Sequence, residues 1–198
     1  MQRNGLNLHL YIHIMFAPKP TLSEKELIEA CQKHNRSAQR QLYERYSARM
    51  FAVCLKYARS VEVAKDYLQD GFATVFLKIG TYTGEGVFEG WMRKIFVNTA
   101  LMDLRRMDVL KEAQDITETP VGAAYGNEVL ENMESRELLR LITQMPIRYR
   151  TVFNLSVFED LSHQEIAKLL GIPEATSRSY LNRGRSWLRD RIHKMNGD

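Results

Sequence analysis

Two cysteines, Cys31 and Cys54, are all that the 198 residues contain. That scarcity excludes a disulfide framework and a cysteine-based zinc site. Each cysteine lies among apolar residues in a helical pattern and reads as a reduced thiol packed as a small hydrophobe. Long hydrophobic runs are missing too: none approaches the roughly 20 residues of a membrane span, so no direct membrane insertion is expected. Glycine and proline are sparse, at 11 and 5 positions, and 44% hydrophobic with 26% charged residues is neither a collagen-like nor a wholly disordered composition. No phosphate-cradling glycine loop occurs, and no histidine or nucleophile completes a triad with the acidic pairs. The expectation is therefore a non-enzyme with no cofactor and no small-molecule substrate. The length suits one ordinary domain or two small ones, and the default location is a reducing cytoplasm.

The first residues stand apart. Leu6, Leu8, Leu10, Ile12 and Ile14 alternate with polar residues, a strand-like period, while Asn7, His9 and His13 interrupt any signal-peptide core. His9 and His13 have helical metal-ligand spacing but no third ligand nearby, and Pro18 and Pro20 follow. Residues 1–22 are expected to be a disordered tail, or an extension upstream of a start at Met15.

From Ser23 onward the period is helical. Ser23 with Glu26 is a capping-box pattern ahead of Leu27, Ile28 and Cys31. Leu42, Tyr43, Tyr46, Met50, Val53, Cys54 and Tyr57 form one stripe of a long helix; Ala64, Tyr67, Leu68, Phe72, Val75, Phe76 and Ile79 form the next. After the loop Gly84-Glu85-Gly86 a fourth helix is expected to turn Phe88, Trp91, Met92, Ile95 and Thr99 inward.

The charge pattern then changes. Between Asp108 and Glu137 eight acids stand against Lys111 and Arg136, a balance of −6, and Asp115 to Asn127 carries Pro120, Gly122 and Gly126 with little apolar content. Helical patterning resumes at Val129, and Pro146 is expected at the first position of a new helix, where its missing donor costs nothing. The fold expected is all-α: a helical bundle over 23–107, a flexible acidic linker over 108–128, and a second small helical domain over 129–198.

That second domain contains a helix-turn-helix pattern. Glu165 to Leu170, then Gly171-Ile172-Pro173, then Glu174 to Leu188 make a short helix, a glycine turn and a second helix opening just after a proline. Gly171 can take the positive φ of a tight turn. From Arg178 to Lys194 the chain carries Arg178, Arg183, Arg185, Arg189, Arg191 and Lys194 against Asp190 alone, a concentration of charge suited to a duplex with about one negative charge per 1.7 Å. In the first domain, Asp66, Gln69 and Asp70 lie opposite the Tyr67/Phe72/Phe76 stripe; alone, such a pair of carboxylates is usually just exposed.

These residues resemble a family. Asp66-Tyr67-Leu68-Gln69-Asp70-Gly71-Phe72, then Phe88-Glu89-Gly90-Trp91, Asn98 and Arg105-Arg106, look like region two of a bacterial sigma factor, and Leu161 to Leu188 looks like region four. With an acidic linker between them and no third domain, the chain is similar to the extracytoplasmic-function group over roughly Glu26 to Ile192. The resemblance implies an RNA polymerase sigma factor that binds core polymerase, recognises promoter DNA and promotes strand opening by differential binding. By the same resemblance, Asp66, Gln69 and Asp70 bind core polymerase. Tyr82 to Phe88 captures a base flipped from the minus-ten element, aromatic faces replacing lost stacking at about 1–3 kcal/mol per base. Asn98 contacts the same DNA, and Arg93, Lys94, Arg105 and Arg106 hold phosphates. Trp91 and Phe88 also fit the apolar stripe; Trp91 is expected in the core, and Phe88 is left between core and stacking.

For the minus-thirty-five element the resemblance selects Arg178, Ser179, Asn182 and Arg183, arginine being able to read guanine bidentately. Arg185 and Arg189 fall to phosphate or solvent. Three positions depart from the usual pattern: Ser177 replaces an apolar residue beneath the recognition helix, Tyr180 an arginine, and Gly184 an alanine, the last a propensity loss of roughly 1 kcal/mol. The linker would thread the polymerase cleft as a nucleic-acid mimic, and an anti-sigma factor would be the inhibitory partner. Two rivals stand beside this reading: a regulator that binds DNA without polymerase, and a helical adaptor whose basic helix binds an acidic protein. Both leave the ordered first-domain motif unexplained.

Overall fold

The computed structural model describes residues 22–106 and 133–196. Among them it forms eight α-helices and no strand: α1 (Glu24–Gln32), α2 (Arg36–Tyr57), α3 (Val61–Lys78), α4 (Phe88–Arg106), α5 (Met133–Gln144), α6 (Ile147–Val157), α7 (His163–Leu170) and α8 (Glu174–Asn196), with a 3-10 turn over Ile79–Thr81 after α3. The tail expected over 1–22 (its last residue apart), with His9 and His13, and the linker expected over 108–128 lie outside the described residues, as does the resumption of helix at Val129.

Local chemistry sets each start. Ser23 and Glu26 close the expected capping box on α1. Asn35 and Ser60 cap α2 and α3, their side-chain oxygens accepting from Ala38 N and Val63 N at 3.0 and 3.3 Å. The front head, α1 to α4, buries Leu42, Tyr46, Met50, Phe72, Met92 and Phe96 as its centre. Both cysteines are buried free thiols, pushed by that burial up to about 11 (Cys31) and about 12 (Cys54).

The inward face of α4 differs from the expected one. Phe88 and Met92 are buried, but the line continues through Phe96, Val97, Ala100, Leu101 and Leu104, while Trp91, Ile95 and Thr99 are only half-buried. The cause is on α3. Gly71 has no side chain, and the Phe96 ring occupies that space so closely that a Cβ at Gly71 would overlap it. Seating Phe96 there turns α4 away from the Trp91/Ile95/Thr99 line.

In the rear head, Pro146 stands one position earlier than expected: it is the N-cap of α6, its carbonyl accepting from Tyr149 N and Arg150 N at 3.0 and 2.9 Å. Ser162 and Glu165 form a second capping box at the start of α7. Gly171 ends α7 at φ 66°, the left-handed geometry the turn requires. Ile166, Leu170, Ile172 and Leu181 then pack with Val152 and Leu155 of α6.

The two heads also pack on each other, which the sequence did not suggest. The C-terminal half of α2 lies against α5 and α6, and one buried apolar cluster runs from Leu27 to Leu181. Asn154 Nδ2 donates to Lys56 O at 2.8 Å and Arg150 Nη2 to Ala58 O at 2.7 Å. These carbonyls belong to the end of α2, where a helix leaves acceptors without intrahelical partners.

Candidate functional site

Asp66, Gln69 and Asp70 are exposed on the outer face of α3. Their positions at i, i+3 and i+4 put them on one side of a cleft of about 770 Å³, whose other wall is Met102, Asp103 and Arg106 of α4, with Arg59 at one end. Tyr67 donates to Asp103 Oδ2 at 2.7 Å, and burial holds the Tyr67 phenol well above its usual range, so this donor persists at any physiological pH. The cleft therefore has mixed charge beside an exposed apolar side chain, Met102, rather than the acidic and amide surface the motif alone suggests. Arg106, expected with the phosphate-holding residues, also lines this cleft.

The second constellation is the loop before α4. Gly84 and Gly86 take φ of 86° and 72°, a backbone that side chains disfavour. Tyr82 bridges the loop by donating from its hydroxyl to Gly86 O at 2.8 Å, and Gln32 Nε2 on α1 holds Ile79 O and Tyr82 O at 3.1 and 3.3 Å. Between α1 and the loop lies a hollow of about 570 Å³ lined by Lys25, Glu29, Gln32, Tyr82, Thr83 and Gly84 among others. The α1 residues were missed from sequence; their signal is a polar line at 25, 29 and 32, three to four residues apart.

Phe88 needs correction as a DNA-stacking residue. Its side chain is 1% exposed, covered by Tyr82 and Trp91 at centroid separations of 5.0 and 5.6 Å and seated on Tyr46. As the first residue of α4 it faces the core, and Trp91, expected inside, is the more accessible ring. Lys94 and Asn98 are exposed four residues apart on one face of α4. Arg93 is engaged elsewhere: its Nε and Nη2 donate to Glu159 of the rear head, Nη2 to Oε1 at 2.7 Å. Arg105 and Arg106 are exposed in the last turn of α4, a helix length of about 27 Å from Phe88.

On α8, Arg178, Asn182 and Arg183 are exposed and Ser179 half-buried, spaced to share one face. Arg178 pairs with Glu174, and Arg183 Nη1 donates to Tyr149 OH at 3.2 Å. The three departures have structural reasons. Ser177 is fully buried, and its Oγ lies 2.9 Å from His163 Nδ1, a polar tie between α7 and α8 in place of an apolar contact. Tyr180 packs edge-on against Tyr149 at 5.4 Å. Gly184 lets α8 approach α6, since a Cβ there would stand 3.1 Å from Met145 Sδ. A helix of about 10–12 Å diameter with these donors fits a major groove about 12 Å wide.

Known proteins are similar to this chain in sequence. The description of sigma-70 region 2 matches residues 42–108 and that of sigma-70 region 4 matches residues 135–188, in chain order and together over more than half of the chain. The RNA polymerase sigma-H factor of Pseudomonas aeruginosa is 26% identical over 173 residues, 82% of this chain and 90% of that protein. The ECF RNA polymerase sigma-E factor of Haemophilus influenzae is 26% identical over 187 residues, 88% and 97% of the two chains. The ECF sigma factor SigW of Bacillus subtilis is 25% identical over 183 residues, 86% and 97%. Among solved structures, CnrH in complex with the cytosolic domain of CnrY aligns at 16% identity and a TM-score of 0.46, covering 85% of this chain and 96% of that one.

Proposed function

The chain belongs to the sigma-70 family as an extracytoplasmic-function RNA polymerase sigma factor, and from that premise we propose how its surfaces divide the work. The cleft of Asp66, Gln69 and Asp70 docks on core polymerase, a mixed-charge face with an exposed methionine offering both register and apolar contact. The glycine loop, its hollow against α1, and the Lys94/Asn98 face of α4 take the opened minus-ten strand. Tyr82 and Trp91 supply the aromatic faces, and Phe88 supports them from beneath. Arg105 holds phosphate. The exposed face of α8, Arg178, Ser179, Asn182 and Arg183, enters the major groove at minus thirty-five.

The mechanism is binding without bond chemistry. A surface that holds single strands better than duplex shifts the opening equilibrium by that difference, and two modest DNA contacts gain avidity through one tether. The family reading also brings an anti-sigma factor as the regulatory partner. The observation that carries the proposal is the exposure, on separate heads, of the two motif faces in the order the family uses them. Run-off transcription with purified core polymerase tests it. The wild type should initiate, and the double variant Gln69→Ala/Asp70→Ala, with helical content unchanged, should lose at least about tenfold of the product. Tight promoter binding by the wild type without polymerase would favour a stand-alone regulator instead.

A further inference from the structure

We propose that Tyr149, on α6 rather than on α8 itself, is a positioning residue for base selection, holding Arg183 so that this arginine reads a guanine of the minus-thirty-five element; this rests on the reading of α8 as the groove-entering helix. Arg183 Nη1 donates to Tyr149 OH at 3.2 Å, and the guanidinium carbon lies 6.0 Å from the centre of the same ring. Tyr149 is itself fixed on two sides. Its backbone N donates to Pro146 O at 3.0 Å in the first turn of α6, and its ring meets that of Tyr180 edge-on, at 5.4 Å and 65°.

Three residues of α8 make the seat for this tyrosine. Tyr180, Arg183 and Gly184 stand at i, i+3 and i+4, so they share one side of the helix. Gly184 is what lets α6 come close: a Cβ there would stand 3.5 Å from Tyr149 O and 3.6 Å from Tyr149 Cβ. Two departures from the family pattern, Tyr180 and Gly184, thus meet at a single side chain of the neighbouring helix, and the residue between them is a base-contact candidate. Tyr149 is half-buried while Arg183 is exposed, so the tyrosine flanks the contact face of α8 rather than lying beneath it.

The chemistry of the bond suits reading rather than neutralisation. A phenol is a neutral acceptor, so Arg183 keeps its full charge for the duplex, whereas Arg178 is paired with the Glu174 carboxylate on its own helix. One nitrogen of the planar guanidinium is engaged, and Nε and Nη2 bond no other described residue. That open edge offers two parallel donors, the arrangement that guanine N7 and O6 accept in the major groove. An arginine held there cannot swing to a phosphate when the base is wrong. The mismatch then leaves its donors unpaired, and that penalty is what discriminates.

Transcription by the full-length chain with core polymerase tests this, on a promoter pool randomised across the minus-thirty-five element, each template carrying a transcribed barcode. Sequencing the products gives the base preference at every position. Arg183→Ala should cut the preference for guanine at one position by at least about fivefold. Tyr149→Phe keeps the ring and removes the acceptor; with helical content unchanged, it should cut the preference at that same position by about threefold to tenfold and leave the others within about twofold. Added to Arg183→Ala, it should change nothing further, because it acts through Arg183. A role in merely placing α8 would instead shift every position and persist in the Arg183→Ala background. That outcome, an unchanged preference in Tyr149→Phe, or an Arg183→Ala variant with no positional loss overturns the inference and leaves α8 as the groove helix. A wild type with no preference anywhere in the element overturns the reading of α8, and the inference with it.

Discussion

The front and rear heads present their candidate sites in opposite ways. On α8 the contact side chains simply project: Arg178, Asn182 and Arg183 are exposed, and what lies beneath them only sets the helix in place. In the front head the site is made by packing. The cleft needs α3 and α4 side by side, and the minus-ten surface needs a glycine loop pinned by Gln32 and propped on the buried ring of Phe88. A surface that only projects should tolerate changes beneath it; one built by packing should not.

The largest expected effect breaks the front head at its tightest point. Gly71→Leu would drive a side chain into Phe96, and overpacking of that kind costs about 1–3 kcal/mol or more. Urea unfolding should show a lower midpoint, and core binding should fall with it. Next is the rear face. Arg178→Ala/Asn182→Ala should leave the unfolding midpoint within experimental scatter, yet cut promoter-directed transcription by at least about thirtyfold, at about 1–3 kcal/mol for each of two base contacts. Equal loss on promoters with and without a matching upstream element would assign these residues to phosphate rather than to bases.

Alkaline pH gives a smaller contrast. The folded thiols keep their protons to about 11 and 12, whereas unfolded thiols lose theirs near about 8.5. Above that value the unfolded state binds fewer protons, and stability falls as pH rises. Lys56 acts oppositely: burial lowers it to about 8 when folded, so from pH 8 to about 10 the unfolded state holds the extra proton and stability rises with pH. Two thiols outweigh one amine, and the buried Tyr57 and Tyr67 phenols add to the loss above pH 10. Denaturation midpoints at pH 7.5 and 10 should show a net fall, steeper in Lys56→Met. The smallest effect belongs to Gly184→Ala. About 1 kcal/mol of helix propensity is gained against a 3.1 Å approach to the flexible Met145 side chain, so the midpoint should move by less than that.

The same contrast explains what the sequence could show. Ser23 with Glu26, Asn35, Ser60 and Gly171 act within a turn of themselves, and each cap or turn is where its residue type places it. The four residues on α8 came from the resemblance to region four, and a regular helix is enough to present them on one face. The rotation of α4 was hidden because it follows from an absent side chain on another helix, Gly71. Phe88 was ambiguous for a related reason: an aromatic residue opening a helix beside a glycine loop fits a stacking site and a core equally well until Tyr82 and Trp91 are placed over it. The contact between heads was invisible from sequence, since Glu159 and Arg93 are 66 residues apart and the resemblance gave Arg93 to phosphate and Glu159 no role.

Binding of the full-length protein to core polymerase, titrated for the wild type and for the two double variants, bears most directly on the division of labour between heads. Gln69→Ala/Asp70→Ala should weaken that binding by at least about tenfold, while Arg178→Ala/Asn182→Ala should leave it within about twofold. Equal weakening by both variants, or tight binding by the cleft variant, would contradict it.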